Sequence, residues 1–314
     1  MVVTHGVPST APSRPGCALT IGNFDGVHRG HQALLERALR DASTLDVPSC
    51  VLTFEPHPRE FFAARAGQPA PARLTRLRDK LELMAAAGID RVHVARFGEG
   101  LAALPAERFV EDVLVRGLRV RSLAVGKDFR YGKGRAGDAA SLQAAASRHG
   151  FELDLVGDVS LDGARVSSSA VRDALVAGDL RRAERLLGHP YTISGRVAHG
   201  SKLGRDLGFP TANIPLRRPP PLRGILVVEV EGLARGAKAG VASLGLRPTV
   251  NPVPRPLLEV HLLDWTGAAL YGRHLRVRFL DKLRDEEKYG DLRQLQDAIA
   301  RDVRQAKEHF ARNG

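Results

Sequence analysis

Apolar residues change their spacing within Ala18–Ala42, ALTIGNFDGVHRGHQALLERALRDA. They are dense at Leu19 and Ile21, then recur at helical intervals at Leu34, Leu35, Ala38 and Leu39. This predicts a strand that runs through a glycine turn into an amphipathic helix. The alternation continues down the first half of the chain. Ser49–Phe54 (SCVLTF) predicts a buried strand, Leu74–Ala87 a helix stopped by Gly88, Arg91–Arg96 a strand and Glu107–Val115 a helix. Ser122–Val125 and Phe151–Val156 predict two further strands. Strands alternating with helices predict a parallel sheet wrapped by helices. In EPHPREFF, Pro56 and Pro58 predict an extended loop rather than a helix. A turn is expected at Asp162-Gly163, and RVSSSAVRDALVAGDLRRAERLL then predicts a helix with serine at its N-cap.

Near Gly188 the period changes. TISGRVAHG, GILVVEVEG, AGVASLG, LLEVHLLDW and HLRVRFLDKL are short β-rich runs separated by Gly and Pro, with no helix expected between them. Five or six such strands predict a small antiparallel barrel. Asp291–Phe310 closes the pattern as an amphipathic helix, with Leu292, Leu295, Ile299 and Val303 expected inward, plugging or flanking the barrel. The expected fold class is therefore α/β, with a Rossmann-like parallel sheet in residues 1–187 and a small antiparallel β-barrel with a terminal helix in 188–314.

Composition narrows the partners. The chain has 314 residues, 43% of them hydrophobic, enough for two cores, and a net charge of +12. Aromatic residues make up 5%, which leaves little for base stacking, and no nucleic-acid-binding motif accompanies the charge. We read the excess as attraction for phosphorylated small molecules, with no nucleic-acid partner expected. Two cysteines, Cys17 and Cys50, suit small core residues in a reducing compartment. There is no apolar run long enough to span a membrane, and MVVTHGVPSTAPSRPG lacks the apolar core of a signal peptide. A cytoplasmic protein with a loose N-terminal tail and no membrane partner is expected.

Candidate chemistry falls on the junctions. Gly22 and Gly26 allow close approach of backbone to a ligand, and His28 and His31 share one face at a helix start, where unpaired N–H groups favour phosphate. His57 and Arg59 leave the carboxyl end of a strand, the edge where open α/β sheets bind ligands. Gly132, Gly134 and Gly137 satisfy G-x-G-x-x-G, which makes a dinucleotide-binding oxidoreductase a competing reading. KDFRY separates them from the strand end, however, and the fingerprint requires immediate succession. Ser167, Ser168, Ser169 and Arg172 place hydroxyls and a guanidinium at a helix start. In the second half, GSKLGRDLGFPTANI is a basic glycine loop, and Glu259 stands in a run that reads as apolar on both sides. Such a carboxylate must be paired, face a cavity or act on a proton.

GNFDGVHRGH carries the HxGH signature of adenylyl-transferring nucleotidyltransferases. With EPHP, KDFRYG, SSSAVR and GFPTAN in order, it resembles the bacterial bifunctional riboflavin kinase/FAD synthetase family over roughly Ala18–Phe310. The resemblance implies ATP-dependent phosphorylation of riboflavin to FMN, followed by adenylylation of FMN to FAD, with Mg²⁺ as the divalent cation. It implies that Asn23, His28, His31 and Arg172 act at the α-phosphate and that Glu259 is the general base for riboflavin. Gly22, Ser168, Ser169, Gly200, Lys202 and Gly204 would bind nucleotide phosphates. His57, Asp128, Phe129, Arg130 and Arg284 would contact flavin or nucleotide, and Thr211 and Asn213 would hold Mg²⁺. Lys127, Tyr131, Ser243 and the residue after Gly224 depart from the usual family pattern. A basic nucleic-acid binder and a non-catalytic flavin-binding regulator are the readings from other classes. The sequence leaves oligomeric state open.

Overall fold

The computed structural model describes residues 1–6, 16–200, 203–233, 236–247, 255–267 and 269–313, which divide into two compact units. Met1–Pro71 with Leu77–Ser167 form the first, and Ala72–Arg76 with Ser168–Gly314 the second.

The first unit is built on six parallel strands in the order β1-β4-β3-β2-β5-β6. These are β1 (Val2–His5), β2 (Cys17–Ile21), β3 (Ser49–Glu55), β4 (Arg91–Arg96), β5 (Val120–Gly126) and β6 (Glu152–Val156). Every residue of β2 is buried, as a central strand covered on both faces requires. One face packs Leu19, Ile21 and Leu52 against Phe109, Leu114 and Leu142. The other places Val51, Val92 and Val94 under Leu34 and Leu35 of helix α1 (Arg29–Leu45). Cys17 and Cys50 are both buried free thiols, as expected of small core residues.

Three expectations need correction here. The first residues of the chain form strand β1 on the open edge of β4, because Val2, Val3 and Thr4 suit an edge pairing; residues 7–15 of the expected tail lie outside the described residues. The segment after Pro56 is a helix, α2 (Pro58–Arg65), and not an extended loop. Pro58 is its first residue, where the missing N–H costs nothing, and His57 caps it. Glu107–Val115 is helical but winds as a short α-helix, Ala106–Arg108, running into a π-helix, Phe109–Gly117. Helix α3 (Leu77–Ala86) and the tight hairpin of β7 (Ser160–Leu161) and β8 (Ala164–Arg165) follow the sequence. Asp162 and Gly163, with φ of 52° and 77°, make the expected turn.

The second unit holds six antiparallel strands in the order β10-β13-β12-β11-β14-β9. They are β9 (Thr192–Arg196), β10 (Ala212–Pro215), β11 (Gly224–Glu231), β12 (Lys238–Arg247), β13 (Arg255–Leu262) and β14 (His274–Arg284). A backbone bridge between Ala198 and Asn213 brings the two ends of the order together, so the sheet is a nearly closed barrel. One turn of helix, Leu203–Asp206, interrupts the stretch expected to be free of helix. The terminal helix, Leu292–Asn313, flanks the barrel by burying Ala298, Asp302 and Ala306, with Val303 and Phe310 beside them. Leu292, expected inward, is 59% exposed, because it precedes the stretch where small alanines let the helix approach the strands.

The helix expected after Arg165 is two helices, Ser168–Val176 and Leu180–Leu187, broken at Gly178 with φ 75°. They cluster with the barrel. A Cβ on Gly178 would meet the Lys282 side chain at 2.5 Å, and Leu180, Leu186 and Leu187 are buried. Arg76 adds a strap from earlier in the chain, donating to the Ser194 carbonyl at 2.6 Å. A fragment starting at Ser168 should therefore melt more than about 5 °C above one starting at Tyr191, since buried leucines contribute ~1.5–3 kcal/mol each. Differential scanning calorimetry of the two fragments checks this, and equal midpoints would mean the helix pair adds nothing to the barrel.

Candidate functional site

The strand order reverses direction between β2 and β5, so the loops leaving their carboxyl ends flank the crevice where such sheets bind ligands. After β2, the Gly22 N–H still donates to the Leu52 carbonyl at 3.1 Å, and then the chain turns sharply. Phe24 and Val27 hold φ of 50° and 42°, strained values for side-chain-bearing residues, and both are buried. His28 is the N-cap of α1, its Nδ1 accepting the His31 N–H at 3.3 Å. That leaves the His28 Nε2 to carry the proton. The two imidazoles stack with centroids 3.7 Å apart and planes 18° from parallel. Gly30 makes room for them, because a Cβ there would lie 3.2 Å from the His28 ring.

His31 is held neutral. Burial first, then the neighbouring His28 and the Lys80 ammonium, push its pKa well below the ordinary histidine value of 6.5. Its Nδ1 is buried with no partner among the described residues. Asn23 is half-buried, and its carbonyl accepts from Lys80 Nζ at 2.5 Å and from the Thr53 hydroxyl at 3.3 Å. Lys80 was not among the expected site residues. Its signal was there, since it occupies the apolar stripe of α3 between Leu77 and Met84 and is 4% exposed.

His57 is a buried cap whose Nδ1 accepts the Arg59 N–H at 3.1 Å. Beyond it, Phe54, Phe61, Phe62 and Phe97 form an edge-to-face cluster with centroids 5.3–5.9 Å apart, another feature the sequence reading missed. After β5, Asp128 pairs with Arg165 at 2.7 Å, which lowers its pKa, and Arg130 lies 3.2 Å from Asp138. Phe129 stacks on Tyr131. The G-x-G-x-x-G glycines have structural causes here. Gly132 abuts the Ala106 backbone, and Gly137 lies under the Tyr131 ring. Asp138 caps the following helix with Ser141 in a reciprocal box, so that helix start is already satisfied by its own carboxylate. These features remove the basis for a dinucleotide fingerprint.

Ser168, Ser169 and Arg172 lie on the first helix of the second unit, where Arg172 Nε donates to the Ala72 carbonyl at 2.6 Å. In the barrel, Asn213 of β10 and Ser243 of β12 stand directly opposite Glu259 of β13, one on each side. Directly opposed residues share a face, so the three side chains form a row. β13 is therefore not apolar on both faces, as its sequence reads. Leu258, Val260 and Leu262 are buried in the barrel, while Glu259 is half-buried on the opposite face. Gly200 abuts Asn213, for a Cβ would come within 2.5 Å of the Asn213 amide. Asn213 Nδ2 donates to the Thr211 carbonyl at 3.3 Å, and its Oδ1 is buried with no partner among the described residues. Gly204 abuts the Phe209 carbonyl, and Lys202 lies outside the described residues.

Beside Thr211 is a cavity of about 530 Å³ lined by Val197, Arg205, Thr211, His261 and Trp265 among others. Arg284 is held by Asp302, with Nε to Oδ1 at 2.9 Å and a second contact at 2.7 Å, and its remaining nitrogen donates to the Asp285 carbonyl. Ser243 donates to Glu286 at 3.0 Å.

Comparison with known proteins extends this geometry. The FAD synthetase family model matches residues 10–170, and the riboflavin kinase family model matches 187–310. The bifunctional riboflavin kinase/FMN adenylyltransferase of Escherichia coli K12 is 50% identical over 303 residues, covering 96% of this chain and 95% of that protein. Its counterpart in Pseudomonas fluorescens is 48% identical, covering 98% and 97%. A crystal structure described as a macrolide-efflux protein from Streptococcus pneumoniae superposes with a TM-score of 0.81 at 26% identity, covering 98% of this chain and 99% of that one. Among the described residues here, no helix is long and apolar enough to cross a membrane. With ATP as co-substrate, riboflavin is phosphorylated to FMN, and FMN is adenylylated to FAD with release of pyrophosphate. A match of two family models in tandem, with half the residues of full-length relatives identical, shows that the chain belongs to the bifunctional riboflavin kinase/FMN adenylyltransferase family.

Proposed function

We propose that residues 1–187 carry the adenylyl transfer and 188–314 the riboflavin phosphorylation, in the cytoplasm. For the first reaction the supporting observation is the stacked His28–His31 pair at the start of α1, one imidazole capping the helix and the other kept neutral. An FMN phosphate oxygen attacks the α-phosphorus of ATP, the new P–O bond forms as the bond to the bridging oxygen breaks, and pyrophosphate leaves. No covalent protein nucleophile is needed. The His28 Nε2, the His31 imidazole and the N-terminal amides of α1 meet the charge that grows on the α-phosphate. Gly22 and Asn23 shape the turn beside it. Ser168, Ser169 and Arg172 are assigned to ATP phosphates on their motif. His57, Asp128, Phe129 and Arg130 border the flavin, with the phenylalanine cluster as an apolar wall.

For the second reaction the supporting observation is the Asn213–Glu259 register. Glu259 takes the proton from the ribityl 5′-hydroxyl as that oxygen attacks the γ-phosphorus of ATP, and ADP leaves. The cavity beside Thr211 suits the nucleotide, with Gly200, Lys202 and Gly204 on its phosphates. A hard cation such as Mg²⁺ fits an unpartnered buried amide oxygen, and Thr211 and Asn213 would hold it. When bound, it supplies positive charge against the phosphate oxygens. Arg284, engaged by Asp302, serves the flavin side by fixing its own segment.

His28→Ala and His31→Ala should each lower FAD formation ~10²- to 10³-fold and leave riboflavin phosphorylation intact. Equal loss of both activities in folded protein would assign the pair to structure. Because charging His31 is disfavoured in the folded protein, the neutral form persists below the ordinary value of about 6.5. The acid limb of FAD synthesis should therefore lie under that pH, and a limb at or above 6.5 would remove His31 as its cause. Glu259→Gln keeps the shape but cannot accept a proton, so riboflavin phosphorylation should fall ~10²- to 10⁴-fold. The same variant, given FMN and ATP, should make FAD at the wild-type rate. Normal FMN production by Glu259→Gln would sink the base assignment.

A further inference from the structure

Lys80 is a charged residue in a core position. It lies on the apolar stripe of α3 with Leu77, Leu81 and Met84, and at 4% exposed it is buried like Met84 and more deeply than the half-buried Leu77 and Leu81. A lysine that served only to fill space there would be replaced at no loss by methionine, since burying an ammonium is costly unless its charge is used. The ammonium reaches the Asn23 carbonyl at 2.5 Å and the Thr53 hydroxyl at 3.4 Å, and Thr53 donates to the same carbonyl at 3.3 Å. Two donors from different elements, α3 and β3, thus fix one peptide group at the mouth of β2. A trans peptide points its C=O and the following N–H in opposite directions. Drawing the Asn23 carbonyl inward therefore turns the Phe24 N–H away from Lys80. The residues that follow, Phe24 and Val27, sit at φ of 50° and 42°, so the turn needs outside contacts to persist.

We propose that Lys80 is a positioning residue for adenylyl transfer, holding the Asn23–Phe24 peptide and thereby the turn that delivers His28 and His31. The inference rests on the assignment of that histidine pair to FAD formation. The groups acting on the His31 charge are His28, at the cap of its own helix, and Lys80 from α3. Lys80 therefore has a second effect that packing alone would not produce, because its charge helps keep His31 neutral.

The test uses the whole chain with Lys80→Met, Thr53→Val and His31→Ala, assayed for FMN adenylylation as kcat, KM and pH profile, with circular dichroism and thermal unfolding as the folding control for the first unit and riboflavin phosphorylation as the readout of the second. Lys80→Met should lower the adenylylation kcat ~10- to 100-fold, the scale of a small misplacement at a reacting centre. KM for FMN should change far less, the kinase should be unaffected, and the acid limb of kcat should move to higher pH as His31 becomes easier to protonate. Thr53→Val, which removes one hydroxyl and keeps the shape, should lower kcat by a smaller factor with the acid limb unmoved. An unchanged kcat in Lys80→Met overturns the proposal, and so does a lowered kcat with an unmoved acid limb, the pattern of a lysine that only packs. If Lys80→Met does not fold, Thr53→Val decides, and wild-type kcat there overturns it. Retained FAD synthesis in His31→Ala would instead defeat the underlying histidine assignment. Its loss there, with Lys80→Met at wild-type rate, defeats this inference alone.

Discussion

The first unit depends on how the chain leaves β2. A parallel strand that is buried along its whole length must pass from ladder to helix within a few residues, and it does so at the carboxyl edge, where the order of strands reverses. The first N–H groups of α1 have no partners within the helix. A histidine N-cap supplies one acceptor through Nδ1, and in the neutral ring the proton then sits on Nε2. The unfavourable dihedrals of Phe24 and Val27 are the cost of reaching that arrangement in so short a turn, and the buried ring of Phe24 and the bonds to the Asn23 carbonyl offset it.

The barrel solves its problem by the period of a strand. Side chains alternate between faces, so pairing register alone decides which ones meet. Asn213, Glu259 and Ser243 come from three strands and share a row because their registers agree. A slip of one residue would send Glu259 into the barrel interior and Leu258 or Val260 out of it. The same hydrophobic pattern that buries Leu258, Val260 and Leu262 therefore holds the carboxylate beside the amide. Core and chemistry are locked together by parity, and no special loop is required to align them.

Much of this was legible in the sequence. Periodicity located β2 to β6 in the first unit, β9 and β11 to β14 in the second, and the long helices, though not β10; HxGH and PTAN pointed to residues that the fold places at a helix start and in a cross-strand row. What was not legible had particular causes. Pro56 and Pro58 read as helix breakers, yet Pro58 at a first helical position breaks nothing. The edge strand Val2–His5 is defined by its partner β4, which local pattern cannot supply. Glu259 read as buried in apolar surroundings because a one-dimensional run does not distinguish the two faces of a strand until the register is known. The spacing of KDFRY already spoke against a dinucleotide fingerprint at Gly132, Gly134 and Gly137, but the packing of Gly132 on Ala106 and of Gly137 on Tyr131 could not be read from it.

The two units place their candidate charge-handling groups by opposite means. In the barrel the Glu259 carboxylate is half-buried, and the nearby Asn213 amide oxygen is buried without a protein partner among the described residues. In the parallel-sheet unit the imidazoles are packed tightly, and burial keeps His31 uncharged. A neutral imidazole can donate a hydrogen bond to a phosphate without first losing a hydration shell of its own, so its orientation is prepared before charge develops. That preparation requires a positive field which discourages protonation and a rigid turn which prevents the rings from drifting. The ammonium of Lys80, below the turn and next to His31, is placed to provide both.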